Sequence, residues 1–305
     1  MKLQQLRYFV AVYEMGSITA GAERANATQS GISMQIKDLE ERLGGPLFER
    51  NAGGVIATTL GRRFYDHATA ILRRVTEAEQ DIKSLAGEVT GELRIGLMPT
   101  FTRSILPPAL IRFSEQYPLV KTRVIEAYSA QLTREVIEGE LDFAIVPSEA
   151  HRQGEMTRNQ FMASDQEFLV SAAGQPFTHM QAVDLSELEP LKLVLPGPEN
   201  ARRAKIDAYL KTHNIKVEAI MELDAMLGTL ELVAHSEWKT ILPGILCKAD
   251  ESGLARQINP LNGAPLKVDY MMIEPNDSCL SPGASLFSEM LKQELESQIH
   301  WHNLD

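Results

Sequence analysis

The sequence predicts a mixed α/β chain in three parts: a small helical head with one β-hairpin, a single long helix, and a larger region in which strands alternate with helices. Three observations carry this. Within the first 43 residues, apolar side chains recur at helical spacing in three short blocks, and Gly53-Gly54 then sits between two β-compatible runs. Residues 59 to 86 keep a helical period with no proline. From Glu92 onward, β-rich segments alternate with helical patterns, which implies α/β layers with largely parallel sheets.

In the first block Leu3, Leu6, Phe9, Val10 and Tyr13 share one helical face. Gly16 ends that helix, and Ser17 is placed to cap the next, ITAGAERA. Thr28 is placed to cap a third, QSGISMQIKDLEERLG, which Gly44 closes. In the third helix Ile32, Ile36, Leu39 and Leu43 form the apolar stripe, whereas Gln29, Ser30, Ser33, Met34 and Lys37 lie off it and face out. Only Asn26, Ala27 and Thr28 separate the second and third helices. That is the short turn of a helix-turn-helix, whose second helix enters the DNA major groove N-terminus first. The following tract, PLFERNAGGVIATTLG, suits the hairpin of a winged helix-turn-helix.

Along the long helix, Phe64, Ala68, Ile71, Val75, Ala78, Ile82 and Leu85 alternate steps of four and three, a heptad seam. Such a seam predicts helix pairing and a homodimer, although Ala68 and Ala78 make it thin. A helix lying on its own domain gives the same pattern. Downstream, LRIGLM, VKTRVIEA, LDFAIV, QEFLVSA, KLVLPG, KVEAIMEL, WKTILP and KVDYMMIE read as strands. PPALIRFSEQY, QLTREVIEGE and segments near 201–212, 226–234 and 284–298 read as helices.

Bulk properties narrow the class. A chain of 305 residues favours two or three compact units, and 44% hydrophobic residues are ample for a core. No apolar run approaches the roughly 18 residues of a membrane helix. The opening MKLQQLRYFVAVYEMGS is broken by Gln4, Gln5, Arg7 and Glu14 and has no small-residue cleavage site, so a cytoplasmic protein without a membrane segment is expected. Cys247 and Cys279 are the only cysteines, too few for a disulfide framework or a zinc set, and no metal or cofactor is expected. The net charge of −11 argues against general attraction to nucleic acid, but residues 1–65 hold eight Lys/Arg against six Asp/Glu. DNA affinity in such a chain rests on a local patch, dimerisation and fit. The seven histidines are scattered, and no HExxH, GxSxG, Walker or GxGxxG motif occurs, so no catalytic residue is named and no enzyme is expected.

These segments resemble the LysR-type family of bacterial transcriptional regulators along essentially the whole chain. LRYFVAVYEMGSITAGAERANATQSGISMQIKDLEERLGGPLFER carries the family's characteristic residues in order and spacing, and TTLG, GELRIG, ILPPALIRFSEQYP and EGELDFAIV match further on. The resemblance implies a winged helix-turn-helix at 1–58 that binds double-stranded promoter or operator DNA. It implies a dimerising linker helix at 59–90 and an effector-binding domain at 91–305 like periplasmic binding proteins. In that domain lobe one covers 91–163 and 267–305, lobe two covers 164–266, and two crossover strands join them. The family habit is a tetramer built from two dimers. Three positions depart from the pattern. Gly21 stands where alanine is usual, at about 1 kcal/mol of helix propensity. Met34 replaces an often basic residue, and HSEWKTILP replaces a glycine-rich turn.

Candidate sites follow. Gln29, Ser30 and Ser33 carry side chains that pair with base edges or phosphate. Met34 shares their outward face, and Lys37, Arg50 and Thr58 are candidate backbone contacts. Each is otherwise a solvated surface group, and Arg50 is alternatively a tie between wing and helices. In parallel α/β sheets, ligands sit beyond the carboxyl ends of strands, where helix N-termini favour anions. Thr100 and Ser129 supply hydroxyls at two such ends and match family positions that often contact effector, and Pro147 ends a third strand. Phe101 and Trp238 are candidates for an apolar wall, and Arg202 for a carboxylate partner, against core and solvent-facing roles respectively. The expected effector is a small organic anion, a carboxylate, held between the lobes. A solute-binding transport protein shares this fold but needs a signal peptide and lacks a DNA-binding head.

Overall fold

The structure is a computed structural model that describes residues 1–51, 54–85, 88–148, 156–188, 190–276 and 279–301. Gly53 of the predicted wing turn lies outside the described residues, as do the side chains of Arg50 and Leu85. The chain divides into two units, Met1–Gly87 and Glu88–Asp305.

In the first unit the capping residues set three helices: α1 (Leu3–Met15), α2 (Ile18–Arg24) and α3 (Gln29–Leu43). Gly16 and Gly44 end α1 and α3 in the left-handed conformation, at φ 60° and 80°, where a side chain would be strained. Ser17 Oγ accepts from Ala20 N, and Thr28 Oγ1 from Gly31 N. The wing pairs β1 (Phe48–Asn51) antiparallel with β2 (Gly54–Ala57). Val55 N donates to Gly16 O at 3.0 Å, which fixes the wing to the end of α1. Gly21 has a packing reason: a Cβ there would lie 2.8 Å from Val12 Cα, so alanine would push α2 off α1. The propensity cost of glycine is therefore offset by closer helix packing.

The long helix α4 spans Thr59–Leu85. Its predicted seam divides. Phe64 and Ala68 are buried in the head core with Leu6, Phe9, Leu39 and Leu47, and the Phe64 ring meets Phe9 edge-on at 5.0 Å. For these two positions the pairing expectation is replaced by packing on the chain's own head. Beyond them Ile71, Ala78 and Ile82 are exposed, Ile82 at 67%.

The second unit begins with β3 (Gly91–Leu97), α5 (Pro99–Ser104), α6 (Leu106–Gln116), β4 (Val120–Glu126), α7 (Ser129–Ile137) and β5 (Phe143–Pro147). Strand β6 (Thr157–Ala172) is 16 residues long. Then come β7 (Leu191–Leu195), α8 (Arg203–Thr212), β8 (Val217–Glu222), α9 (Met226–Ala234), β9 (Thr240–Pro243), α10 (Gly244–Cys247), β10 (Arg256–Pro260), β11 (Lys267–Pro275) and α11 (Pro282–Gln298). One sheet runs β10-β6-β11-β5-β3-β4, with β9 also on β6, and β7 and β8 form a separate parallel pair. In the larger sheet only β3 pairs in parallel, with β4 and β5. The expectation of largely parallel sheets is thus corrected: β6 pairs antiparallel with β11 over its first part and with β9 and β10 over its second, and β11 pairs antiparallel with β5.

The two lobes are visible in the cores. One gathers Leu93, Ile95, Phe113, Phe143, Phe287 and their neighbours around β3, β4, β5, α6 and α11. Two others, around Leu193 and Ile206 and around Phe168 and Val233, fill the segment from 168 to 266. Each side also holds a residue of the other. Ile245 is buried in the first core, and Trp301 in the last, stacked on Phe168 with its Nε1 donating to Gly244 O at 2.9 Å.

Candidate functional site

In the head, the first turns of α3 present Gln29, Ser30, Met34 and Lys37 to solvent, Met34 at 57%, with Ser33 half-buried. This follows from the burial of Ile32, Ile36 and Leu39 on the opposite face. Ser33, Met34 and Lys37 line a groove closed on its other side by Phe48 and Val55 of the wing. Lys37 is 3.7 Å from Glu41, a solvent-exposed pairing one helical turn away. Thr58 is different. Its hydroxyl donates to Pro46 O at 2.7 Å and accepts from Gly61 N at 2.9 Å, so it caps α4. The expectation of a phosphate contact from Thr58 is corrected on that ground. Gly61 is required beside it, because a Cβ would lie 2.1 Å from Leu47 O. Arg50 lies on β1, paired with Val55 of β2.

In the second unit, strand ends and helix starts of both lobes converge on one cavity. Met98, Pro99, Thr100, Tyr128, Ser129 and Pro147 line it from lobe one. Lobe two supplies Leu195, Asn200, Arg202, Leu223, Thr229, Thr240 and Leu242 among others. The space free within it is about 40 Å³, so the cleft is narrow as it stands. Thr100, Ser129, Thr229 and Thr240 are largely covered as residues, but their hydroxyl oxygens keep accessible surface and bond to no described residue. Hydroxyls placed this way are met by water or by a ligand that enters the cleft. Tyr128 at the cavity edge has its hydroxyl pushed up in pKa, first by burial and then by Asp224 and Glu126.

The sequence placed Arg202 as a candidate carboxylate partner, and the structure brings it to the cavity already engaged. Its Nε donates to Glu167 Oε1 at 2.8 Å, and its Nη2 donates to Glu167 Oε2 and to Ile241 O, the latter at 2.9 Å. Burial disfavours the guanidinium charge, but the Glu167 carboxylate outweighs this and holds its pKa up. Phe101 and Trp238 do not line the cavity, which corrects their expected role as its wall. Phe101 is fully buried in the lobe-one core, edge-on to Tyr270 at 4.8 Å. Trp238 packs on a lobe-two core, in a turn closed by Ser236 Oγ, which donates to Leu232 O and accepts from Trp238 N. Met98, Leu195, Leu223 and Leu242 form the apolar wall instead.

Sequence reasoning missed a buried acidic pair on β6. Asp165 and Glu167 lie two residues apart on one face of the strand, where it passes from β11 to β9 and β10. Asp165 Oδ2 accepts from Ile245 N at 2.9 Å and from the Tyr270 hydroxyl at 3.3 Å, while Oδ1 has no partner. Burial first, and the nearby Glu167 charge after it, push its pKa up to about 7. Glu167 at the start of an apolar strand pattern (QEFLVSA), with Asp165 just before it, was the available signal. Among the described residues no cluster of His, Cys, Asp and Glu is placed to hold a metal, and no helix is long and apolar enough to cross a membrane.

Residues 3–62 match the family profile described as a bacterial regulatory helix-turn-helix protein, lysR family, and residues 86–296 match the LysR substrate binding domain. Among relatives, the nitrogen assimilation regulatory protein nac of Escherichia coli is 27% identical over 304 residues, covering 98% of this chain and 97% of that protein. The uncharacterized HTH-type transcriptional regulator YwqM of Bacillus subtilis is 30% identical over 269 residues, covering 87% and 90%. A full-length OxyR variant from Pseudomonas aeruginosa has a similar fold, with a TM-score of 0.69 at 20% identity over 97% of this chain and 95% of that one. CbnR in complex with its target DNA has a TM-score of 0.62 at 21% identity, covering 96% and 100%.

Proposed function

Since the chain belongs to the LysR family of helix-turn-helix transcriptional regulators and carries their substrate-binding domain, we propose that a small organic anion bound between its two lobes controls how the head reads a specific site on double-stranded DNA. The effector part is carried by one observation: four hydroxyls with no partner among the described residues, their oxygens still accessible, belong to residues that line one interlobe cavity with apolar walls. A single carboxylate is accommodated by hydroxyls and by the N–H groups that open α7, without a dedicated cation. Thr100 and Ser129 are the lobe-one contacts, and Pro147 borders them. A ligand that binds two arrangements of the lobes unequally shifts the balance between them, and through it the geometry of the DNA-binding heads.

On the DNA side, Gln29, Ser30 and Ser33 read base edges, with Met34 beside them and Lys37 and Arg50 on the backbone. Replacing Gln29 and Ser33 together by alanine is expected to weaken specific operator binding by about 1–3 kcal/mol for each base pairing removed, with little change on random DNA. Titration of both DNAs at several salt concentrations separates the two, because phosphate contacts carry the salt dependence. Equal weakening on both DNAs would remove the base-reading role.

The chain acts in the cytoplasm as a homodimer, two of which form a tetramer. Ile71, Val75, Ala78 and Ile82, the part of the seam that does not enter the head core, supply the α4 pairing surface. Ile71→Asp is expected to shift the full chain towards monomer in light scattering, with DNA affinity falling in step. A dimer of undiminished strength would place the pairing elsewhere.

A further inference from the structure

The lobe-two end of the cavity is built around one fixed guanidinium. Glu167 and Ile241 O together take up Nε and Nη2 of Arg202, which leaves Nη1 with two N–H donors and no partner among the described residues. Nη1 also keeps accessible surface, on a side chain that lines the cavity. Thr229 and Thr240 stand on the same side with free hydroxyls. The charge of this guanidinium is already matched by a carboxylate in contact with it. A second carboxylate approaching Nη1 meets Glu167 as a like charge in a poorly screened site. A neutral oxygen meets the same donors without that repulsion. Closing the cleft without any acceptor would strand two N–H groups.

We infer that the effector is bifunctional: a carboxylate at the Thr100 and Ser129 end, and a neutral oxygen acceptor, a carbonyl or hydroxyl, that accepts from Arg202 Nη1. A short apolar stretch against Leu195, Leu223 and Leu242 joins the two. This rests on the interlobe anion reading above and adds the second functional group. Glu167 is the positioning residue: it fixes the guanidinium and cancels its charge, and so sets the preference for a neutral group over a second anion. A ligand held at both ends touches both lobes, which favours the closed arrangement.

Three probes of equal chain length test this on the full-length protein by calorimetry: 4-oxopentanoate, pentanoate and pentanedioate. The wild type is expected to bind 4-oxopentanoate at least about tenfold more tightly than either of the others, the ratio set by one hydrogen bond to a charged donor. In Glu167→Gln the amide still accepts from Arg202 but no longer cancels its charge, and the preference is expected to turn towards pentanedioate. Pentanoate binding as well as 4-oxopentanoate, or pentanedioate binding best to the wild type, overturns the inference and leaves the anion reading standing. An unchanged ranking in Glu167→Gln overturns the role of Glu167. Should none of the three bind at millimolar concentration, the anion reading falls and this inference with it. The wild-type ranking decides the matter alone if the variant does not fold.

Discussion

Arg202→Met is expected to destabilise the effector-binding unit by about 3–5 kcal/mol, because it leaves the Glu167 carboxylate buried without its counter-charge. Glu167 is 2% exposed, and Arg202 supplies the two charge-assisted hydrogen bonds that hold it. The double variant Arg202→Met/Glu167→Leu removes both charges and fills similar volume. It is expected to recover to within about 1 kcal/mol of the wild type, since a well-packed apolar pair commonly matches a buried ion pair. Urea unfolding followed by tryptophan fluorescence reads this unit alone, because both tryptophans, Trp238 and Trp301, lie in it. A single variant destabilised by less than about 1 kcal/mol would mean that Glu167 finds other solvation, and that the guanidinium is not held as described.

The second large effect is a dependence on pH. Asp165 has its carboxyl raised from 3.8 to about 7 by burial in the folded chain. The folded state therefore holds this proton more tightly than the unfolded state does. Stability from this group is fully present below pH 3.8 and is lost as pH rises through 7. Between pH 5 and 8 the loss amounts to about 2–3 kcal/mol. Asp165→Asn removes the titration, so its stability relative to the wild type is expected to rise by that amount over the same interval. The difference between the two unfolding curves at each pH isolates this group from all others. A difference that stays flat across that interval would show that Asp165 remains ionised throughout.

These two residues also show where sequence reading stops. The helix-turn-helix, its caps at Ser17 and Thr28 and the stop at Gly44 were legible because each is a local rule, met within a single helical turn. So were the strand ends that place Thr100, Ser129 and Pro147 on the cavity, since α/β alternation fixes which ends converge. The pairing of Glu167 with Arg202 spans 35 residues, and nothing in QEFLVSA names the partner. Strand β10 escaped for a related reason. Arg256, Gln257 and Asn259 are buried there through bonds to Asp250, Phe177 O and Thr178 O, so a core strand carries the composition of a loop. The α4 seam misled at Phe64 and Ala68, because a heptad and an amphipathic face packed on its own domain share their first turns.

The exchange of Ile245 and Trp301 between the two cores bears on how the chain is made. Lobe one needs β11 and α11, and the lobe-two core around Phe168 needs Trp301, so these two cores do not close until residues up to 301 have been synthesised, whereas the core around Leu193 is complete by residue 266. The head, by contrast, is a separate unit complete by residue 87. At roughly 5–20 residues per second, the head completes its fold roughly 10–40 s before the remainder has the sequence it requires. During that interval β5 is present without β11, the strand that pairs along its free edge.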